Sequence, residues 1–567
     1  MASQQFDSKQ AHKRVALTGF QSYLLPGVVL TVLLLILAAF RPLALPDEGR
    51  YAEIGRWMVV SGDWLAPRLN GLPFFHKPPL LYWLEAIVIQ GVGPTIWGLR
   101  FIPALHAVIV LGLMGPMLDG VFGTSVARRS MIIFGSSAAF LLGGQYINHD
   151  MMVACWISVA IAAFGSFAIQ LGLDEDLISQ QNRAVPNKLR RMAWLGFIAC
   201  ALGVLSKGLI GVVLPCFVLF LWLCWSGRWS VLREVPWFSG LLIFLSMTLP
   251  WFVLTEQVYP GMVDYMFGVH QFERFTGTQF NNAQPFWFYG VAISLLLGPW
   301  MVWFWGYQLS RIYGFCINDR HLSFAFKLKH LVVQFTSSKQ AQRTDAQLVV
   351  GLCLIWVWAI VIFFSIPHSK IIGYVLPVTP PMALLCALGW DRLMSGTRFE
   401  ILIWRTSLIL SVASMVLINN EATKMTRRYF SVDVANVLRC QDLQNAQLMV
   451  VGDYPYDLPF LTNTTRPMWV IQDWVFERAH AGDTWRRELF EGANFEPVKA
   501  EILKPPSTLL KEASQSQRWL LVPTNWNKSS QISSLGYALV FQGGAWSIYR
   551  TQSTVAYPTT QDGVCLR

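Results

Sequence analysis

The chain has 567 residues, of which 54% are hydrophobic, and it contains 25 Trp and 37 Phe. A soluble protein of this length cannot bury so much apolar side chain, so the composition excludes a soluble globular protein and predicts a polytopic membrane protein. The formal net charge of +11 would suit a nucleic-acid-binding protein. The basic residues instead fall in short loops between apolar runs, as in the cytoplasmic loops of membrane proteins, so we expect no nucleic-acid partner.

Eleven apolar runs are long enough to cross a bilayer, which takes about 20 residues per helix. The first run follows a basic N-terminus, is longer than a signal-peptide core and lacks a small-residue cleavage site, so we expect it to be retained as a signal anchor. The run 80–92 is short and contains Glu85, which predicts an interfacial helix. If it and part of 308–346 also enter the membrane, the count rises to thirteen. The eleven runs are approximately 22–40, 98–118, 130–147, 150–171, 192–206, 208–225, 237–254, 288–306, 347–365, 371–389 and 401–419.

The charged loops orient these runs. With the N-terminus in the cytoplasm, every loop that then faces the cytoplasm is rich in Arg and Lys, as the positive-inside rule requires. The remaining polar features should meet at the opposite membrane face. They are the loop 41–97, the turn Asn148–Asp150, the turn at Lys207, the stretch 255–287, the turn Pro367–Lys370 and the chain after about residue 420.

The first of these features, the loop 41–97, holds an unusual number of ionisable residues. Asp47 and Glu48 follow the first apolar run, and a carboxylate there could serve as a general base. Capping of the following helix would explain Asp47 equally well. Lys77 stands between His76 and two prolines, where it suits a phosphate group. A lysine that reaches lipid headgroups is the alternative.

Ionisable residues between later apolar runs extend this set. Asp150 could orient an acceptor or a metal ion, or could simply cap a helix. Lys207 lies between two apolar runs and is expected to have an anionic partner, and Lys370 is another cation at the same face. The stretch 255–287 adds His270 and Arg274. Carboxylates together with several cations at a lipid interface suit transfer of a group from a lipid-linked phosphate, because the cations offset the charge on the leaving phosphate.

The end of the chain changes character. The segments QLMVVGDYPYDLPF, RPMWVIQDW, RWLLVPTNW and YALVFQGGAWSIYR predict short strands, and 431–440 and 484–491 show helical patterns. We therefore expect a transmembrane domain over 1–420 and a small extracytoplasmic α/β domain over 421–567. A disulfide between Cys440 and Cys565 is possible if that domain lies outside the cytoplasm.

The segment PDEGRYAEIGRWMVVSGDWLAPRLNGLPFFHKPPLLYWLEA resembles the first extracytoplasmic loop of the bacterial aminoarabinose–lipid A transferases. These enzymes and their relatives form the protein mannosyltransferase superfamily, which has the GT-C fold. The resemblance continues through Asp150-Met151-Met152, Ser206-Lys207-Gly208 and Pro285–Tyr289, and it covers about residues 20–390. It implies a glycosyltransferase of the bacterial inner membrane, with its site at the periplasmic face.

The family implies inversion at a sugar carbon, with the sugar donated by a polyprenyl phosphate such as undecaprenyl phosphate. The acceptor would be lipid A or another envelope glycan, and a protein Ser/Thr hydroxyl is the alternative. A non-catalytic lipid or polysaccharide transporter is the alternative from another class, although it should carry charges within its spans. The implied residues are Asp47, Asp150 and Glu48 for catalysis, Lys77, Lys207, Lys370, Arg50 and Arg274 for the donor phosphate, and His76 and His270 for a metal ion.

One position departs from the family pattern. Where the aminoarabinose transferases usually have Glu before Lys-Pro, this chain has His76. In some relatives that Glu joins a metal site together with a later His, comparable to His270. A His can also bind zinc, so the resemblance leaves open a divalent metal, zinc or magnesium. The implied partners are the donor, the acceptor and membrane lipids, and we expect a monomer.

Overall fold

The computed structural model describes residues 25–39, 41–181, 185–273, 282–318, 344–427, 430–439, 446–515, 518–526 and 529–551. Within these ranges, eight helices are long and apolar enough to cross a membrane. Each overlaps a predicted span, which confirms a polytopic helical membrane protein. They are Ile96–Phe122, His149–Leu171, Asn187–Lys207, Trp237–Val258, Phe288–Ser310, Asp345–Ser365, Ile372–Met394 and Glu400–Thr426.

The three other predicted spans form shorter helices. Two of them are Leu25–Ala39 and Ile210–Ser226. The third, 130–147, is not continuous, because two serines interrupt it between the helices Thr124–Gly135 and Ala138–Gln145. Ser137 accepts a hydrogen bond from the amide of Phe140 at 3.3 Å and so caps the second helix. Ser136 accepts one from the indole of Trp300 at 3.1 Å.

The first loop is folded rather than extended. It contains the helix Asp47–Ser61, a hairpin of β1 (Arg68–Leu69) and β2 (Leu72–Pro73), and the helix Leu80–Val92, which the sequence predicted. The first helix ends where Gly62 adopts a left-handed conformation with φ +69°, as glycine commonly does after a helix. It packs so closely on the second helix that no Cβ fits at Gly55 beside Glu85.

Shorter elements connect the long helices. Some of the spanning segments given above belong to longer helices, which are His149–Gln181, Met301–Asn318 and Glu400–Arg427. Between them lie Val231–Glu234, Met262–Asp264, a π-helix at Tyr265–Glu273, Phe288–Leu297, and 3₁₀ turns at Gly298–Trp300 and Ile372–Val378, the last leading into Thr379–Met394. A large apolar core joins these helices, and Trp222, Trp300 and Trp390 are fully buried in it.

The C-terminal region is an α/β unit, as predicted. Its six strands lie in the order β5-β4-β3-β6-β8-β7, with β5, β4, β3 and β6 parallel and β7 and β8 antiparallel. The strands are β3 (Gln447–Val451), β4 (Trp469–Ile471), β5 (Leu503–Lys504), β6 (Arg518–Pro523), β7 (Tyr537–Gln542) and β8 (Trp546–Thr551). The helices are Val432–Arg439, Leu458–Thr462, Trp474–His480, Trp485–Phe495, Thr508–Glu512 and Ser529–Ser534, with a 3₁₀ turn at Pro497–Ile502. The division of the chain at 420 stays a prediction, and the helix Glu400–Arg427 runs across that position.

The first loop packs directly against this C-terminal region. Buried apolar side chains of the loop, among them Tyr51 and Phe74, share one cluster with Tyr454 and Phe460 of the C-terminal region. Asn70 adds two hydrogen bonds to the backbone of Met468, at 2.9 Å to its carbonyl and 2.8 Å from its amide. The two parts therefore form a common interface, and the polar space beside that interface is the candidate site.

Candidate functional site

A cavity of about 840 Å³ lies between the first loop and the C-terminal region. This volume is in the range of small-molecule binding sites. We call it the polar cavity. The loop contributes Asp47, Arg50, Tyr51, Phe74, His76 and Lys77 to its walls, and the C-terminal region contributes Asp453, Tyr454, Tyr456, Asp483, Trp485, Glu488, Asn525 and Trp546.

Asp47 is open to the polar cavity, with 40% of its side chain exposed. The Tyr146 hydroxyl donates to its Oδ2 at 3.3 Å, and Arg50 Nη1 lies 3.6 Å from its Oδ1. The residue that precedes the helix is Pro46, and no side chain makes a capping hydrogen bond there. Capping therefore does not account for Asp47, and its carboxylate faces the open space of the polar cavity.

Glu48 points the opposite way and is fully buried. Its carboxylate accepts from Arg41 Nη2 at 2.8 Å and Arg100 Nη2 at 3.0 Å, and from the amides of Ala44 and Ile147. Burial alone would raise the pKa of Glu48, but Arg100 and Arg41 outweigh burial and lower it. This placement favours a structural role over the predicted catalytic one, because no substrate can reach the carboxylate.

Arg50 lies between two carboxylates. Its Nη2 is 3.1 Å from Glu488 Oε1, and its guanidinium lies 4.9 Å from the centre of the Tyr456 ring. The Tyr456 hydroxyl donates to Glu488 at 2.9 Å. Burial raises the pKa of the Glu488 carboxyl, although Arg50 opposes this. Sequence reasoning identified Arg50 but missed Glu488, which holds it.

An apolar groove of about 280 Å³ adjoins the polar cavity. Lys77 and His270 line both spaces, so they mark the point where groove and cavity meet. The rest of the groove is lined by Lys207, Leu209, Ile210, Val213, Phe267, Gln271, Phe272, Phe363, Phe364, Pro367, Ser369 and Tyr374. It offers an apolar channel with cations at its polar end.

Asp150 and Lys207 act together at this groove. The Lys207 ammonium contacts the Asp150 carboxylate, and it lies 4.6 Å from the centre of the Tyr374 ring. Asn148 donates to the other carboxylate oxygen at 2.9 Å. No Cβ fits at Gly373 beside Asp150. These contacts hold the Asp150 carboxylate against Lys207, and its predicted catalytic role stays a prediction.

One predicted donor ligand, Lys370, has another placement. The buried Lys370 ammonium donates to the carbonyls of Gln284 at 2.9 Å and Pro367 at 2.6 Å. These bonds tie two loops together and favour a structural role. Arg274 lies outside the described residues, as do Cys440 and Cys565.

His76 and His270 are stacked, with ring centroids 3.9 Å apart. A third residue, Glu491, joins them, and one ligand atom from each of the three lies within 4.8 Å of the others. Tyr265 links the group, since its hydroxyl is 2.9 Å from His76 Nε2 and 2.6 Å from Glu491. Glu491 was missed from the sequence. The available signal was its spacing of three from Glu488 on a predicted helix, which places both acids on one face.

Comparison with known proteins agrees with this architecture. A family model described as dolichyl-phosphate-mannose-protein mannosyltransferase matches residues 43–266. An undecaprenyl phosphate-alpha-4-amino-4-deoxy-L-arabinose arabinosyl transferase of Sodalis glossinidius is 29% identical over 60% of this chain and 54% of its own length. One of Proteus mirabilis is 30% identical over 63% of this chain and 58% of its own length. The chain thus spans little more than half the length of these relatives.

A solved structure extends the likeness along the whole chain. The crystal structure of ArnT from Cupriavidus metallidurans bound to undecaprenyl phosphate aligns with a TM-score of 0.73 at 20% identity, covering 95% of this chain and 99% of that one. This agreement confirms the predicted fold, and the sequence matches above confirm the resemblance to the aminoarabinose transferases.

Proposed function

We propose that the chain is a membrane glycosyltransferase that moves a sugar from undecaprenyl phosphate to lipid A or another envelope glycan. The observation that carries this proposal is the meeting of the apolar groove with the polar cavity at Lys77 and His270. A lipid-linked sugar has the same two parts, an apolar chain and a polar head joined through a phosphate. The similarity to arabinosyl transferases supports the same assignment.

In this proposal the isoprenoid chain lies in the groove and the sugar lies in the polar cavity near Asp47. Lys77 and Lys207, both lining the groove, neutralise the donor phosphate. As the bond between the anomeric carbon and the phosphate oxygen breaks, negative charge grows on the phosphate. Fixed cations stabilise that charge more in the transition state than in the ground state.

The acceptor oxygen attacks the anomeric carbon from the face opposite the leaving phosphate, which gives inversion. If the acceptor is a hydroxyl, its proton passes to Asp47 as the new bond forms. If the acceptor is a phosphate oxygen, no proton needs removal and Asp47 orients the acceptor. Arg50 lies 3.6 Å from Asp47 and is held by Glu488, so it fixes the position of that carboxylate.

The cluster of His76, His270 and Glu491 fits a divalent metal ion. Two imidazoles and one carboxylate form a donor set typical of catalytic zinc, which keeps a further position open. The Arg487 Nε donates to Glu491 Oε1 at 2.6 Å, as expected for an oriented ligand carboxylate. When bound, such an ion would add positive charge close to Lys77. Glu491 from the C-terminal region then replaces the acidic residue that the family carries at position 76.

We place the polar cavity and the C-terminal region at the periplasmic face of the inner membrane. This orientation follows from the basic loops at the other ends of the helices. Arg129, one of these basic residues, lies in the helix Thr124–Gly135 and forms ion pairs with Asp391 and Glu400.

The test is a transfer assay with the full chain in lipid nanodiscs. The donor is undecaprenyl phosphate 4-amino-4-deoxy-L-arabinose, the acceptor is lipid A, and mass spectrometry detects the glycosylated product. We expect product with the natural chain and none with Asp47→Asn. Transfer to a protein Ser/Thr hydroxyl instead would support the second candidate, which the mannosyltransferase model favours. Movement of the donor across the membrane without any product would indicate a transporter and refute the proposal.

A further inference from the structure

The C-terminal sheet contains a topological switch point that faces the polar cavity. Among its parallel strands, β4 and then β5 lie on one side of β3, whereas β6 lies on the other side. The order in which the strands are added therefore switches sides between β3 and β6, although these two strands run parallel. In open α/β sheets, ligands bind at the carboxyl ends of the strands at such a point, because the loops that follow the two strands diverge there and leave a crevice.

The loops at this point line the polar cavity. Asp453 and Tyr454 follow β3, Pro523 ends β6 and Asn525 follows it, and all four lie on the cavity wall. We call this part of the wall the switch-point crevice. Trp485, on the same wall, begins the helix Trp485–Phe495.

The crevice is built by close packing of its two loops. Gly452 has φ +89°, and a Cβ there would lie 3.2 Å from Pro523 Cδ and 3.3 Å from Trp526 Nε1. Arg486 donates to the Gly452 carbonyl at 3.1 Å, and its guanidinium lies 4.4 Å from the centre of the Trp485 ring. Glycine is favoured at this position, since the left-handed backbone conformation would strain a side chain and a Cβ would be in tight contact with both neighbours.

The charges on the crevice decide what it can hold. Asp453 and Asp483 line the wall and disfavour phosphates and nucleotides, the usual ligands of switch points in α/β sheets. Carboxylate and amide oxygens accept hydrogen bonds from hydroxyl groups, and an amide also donates one. Aromatic rings such as Trp485 and Tyr454 offer apolar faces beside these polar groups. This combination suits a hydroxylated sugar ring that carries no negative charge.

We propose that the switch-point crevice binds a sugar ring, with Asp453 and Asn525 as specificity-determining residues that hydrogen-bond to its hydroxyl groups. This inference rests on the proposed function and deepens it. The ring belongs either to the donor or to the acceptor glycan. Both sugars offer the same hydroxyl groups to the crevice. Either one would then lie in the polar cavity that Asp47 also lines.

The experiment measures binding by the full chain in nanodiscs. Three probes are used: undecaprenyl phosphate, undecaprenyl phosphate 4-amino-4-deoxy-L-arabinose, and lipid A. The variants are Asp453→Ala and Asn525→Ala. Both positions are exposed, and the one hydrogen bond described for the Asp453 side chain comes from the amide of its own neighbour, Tyr454. The control is Glu501→Ala, an exposed acid of the same region that is not among the cavity residues.

We expect Asp453→Ala to weaken binding of one sugar-bearing probe about tenfold, equivalent to about 1.4 kcal/mol, and to leave undecaprenyl phosphate unchanged. A loss confined to the arabinose donor assigns the crevice to the donor sugar, and a loss confined to lipid A assigns it to the acceptor. The inference is overturned if each of the three probes binds both variants as tightly as it binds the control. It is also overturned if the variants weaken binding of undecaprenyl phosphate as much as binding of the sugar-bearing probes. If the natural chain binds as expected but makes no product, the proposed function fails while the crevice assignment stands.

Discussion

Asp47 and Glu48 are adjacent in sequence, yet their placements predict opposite consequences of mutation. Glu48→Gln preserves the shape of the side chain but removes the negative charge between Arg41 and Arg100. These guanidinium groups are 6% and 0% exposed, so neither can be solvated by water instead. At an effective dielectric constant near 20, one pair of unit charges about 4 Å apart is worth about 4 kcal/mol.

Loss of one partner from a buried ion pair costs about 3–5 kcal/mol, because the remaining charge stays buried without compensation. We therefore expect Glu48→Gln to lower the unfolding temperature clearly. Since Arg100 and Arg41 lower the pKa of Glu48 in the folded protein, its stabilisation is present at neutral pH and is lost as the pH falls through that lowered pKa. Asp47→Asn should leave the unfolding temperature unchanged and abolish transfer.

The assay follows tryptophan fluorescence during heating of the purified protein, and it measures transfer below both unfolding transitions. Glu421→Gln is the control, because that carboxylate is 61% exposed and forms a surface pair with Lys424. Such pairs contribute about 0–1 kcal/mol. A Glu48→Gln protein that unfolds like the natural chain but makes no product would refute the structural role and restore a catalytic one. Full activity of Asp47→Asn would remove that residue from the mechanism.

Three further predictions concern separate parts of the molecule. Lys77→Ala should raise the KM for the donor roughly tenfold with little change in the KM for lipid A, since one phosphate contact worth about 1.4 kcal/mol is lost. Donor kinetics equal to those of the natural chain would reject the phosphate role. Glu491→Gln should lower the metal content measured by elemental mass spectrometry, and a natural chain that binds no metal from zinc- or magnesium-containing buffer would contradict the metal proposal. Burial raises the pKa of Asp457 from 3.8 to about 6, despite hydrogen bonds from Ser431 that lower it. This rise is equivalent to about 3 kcal/mol. The folded state therefore favours the protonated acid, and the associated stability is lost as the pH rises from about 4 to about 6. Asp457→Asn should remove this part of the pH dependence of the unfolding temperature. Identical profiles of unfolding temperature against pH for the variant and the natural chain would refute this prediction.

Much of the architecture could be predicted because it depends on local patterns. Long apolar runs identify spanning helices without knowledge of their partners. Short apolar segments bounded by turns predicted the strands around Met449 and Leu520, which form the buried centre of the C-terminal sheet. The break at Ser136 was missed, and part of its surroundings, such as the hydrogen bond from Trp300, comes from residues far away in the chain.

The site could be predicted only in part for the same reason. Asp47 and Lys77 were found because they lie in a loop with an unusual number of ionisable residues, directly after an apolar run. Glu488 and Glu491 belong to a soluble amphipathic helix, where charges are ordinary, so their spacing of three was only a weak signal. Their importance depends on which groups of the first loop they meet, and those contacts join residues more than 400 positions apart, such as Arg50 and Glu488.

The helix Trp485–Phe495 couples the two halves of the proposed site, and this coupling can be tested at Gly492. Within one helix, Glu488 pairs with Arg50 near Asp47, the proposed catalytic carboxylate, and Glu491 faces the two histidines. Gly492 packs so closely on the carbonyl of Pro73 that no Cβ fits there. Gly492→Val must therefore push the helix away from the first loop, which moves both glutamates together.

We expect this variant to lose transfer activity and metal content in parallel, whereas Gly482→Val, at an open position just before the helix, should lose neither. Loss of metal with full activity, or loss of activity with full metal content, would show that the two halves of the site are held independently. Parallel loss is the expected outcome because a rigid helix cannot withdraw Glu491 from the histidines while leaving Glu488, one turn away, in place beside Arg50.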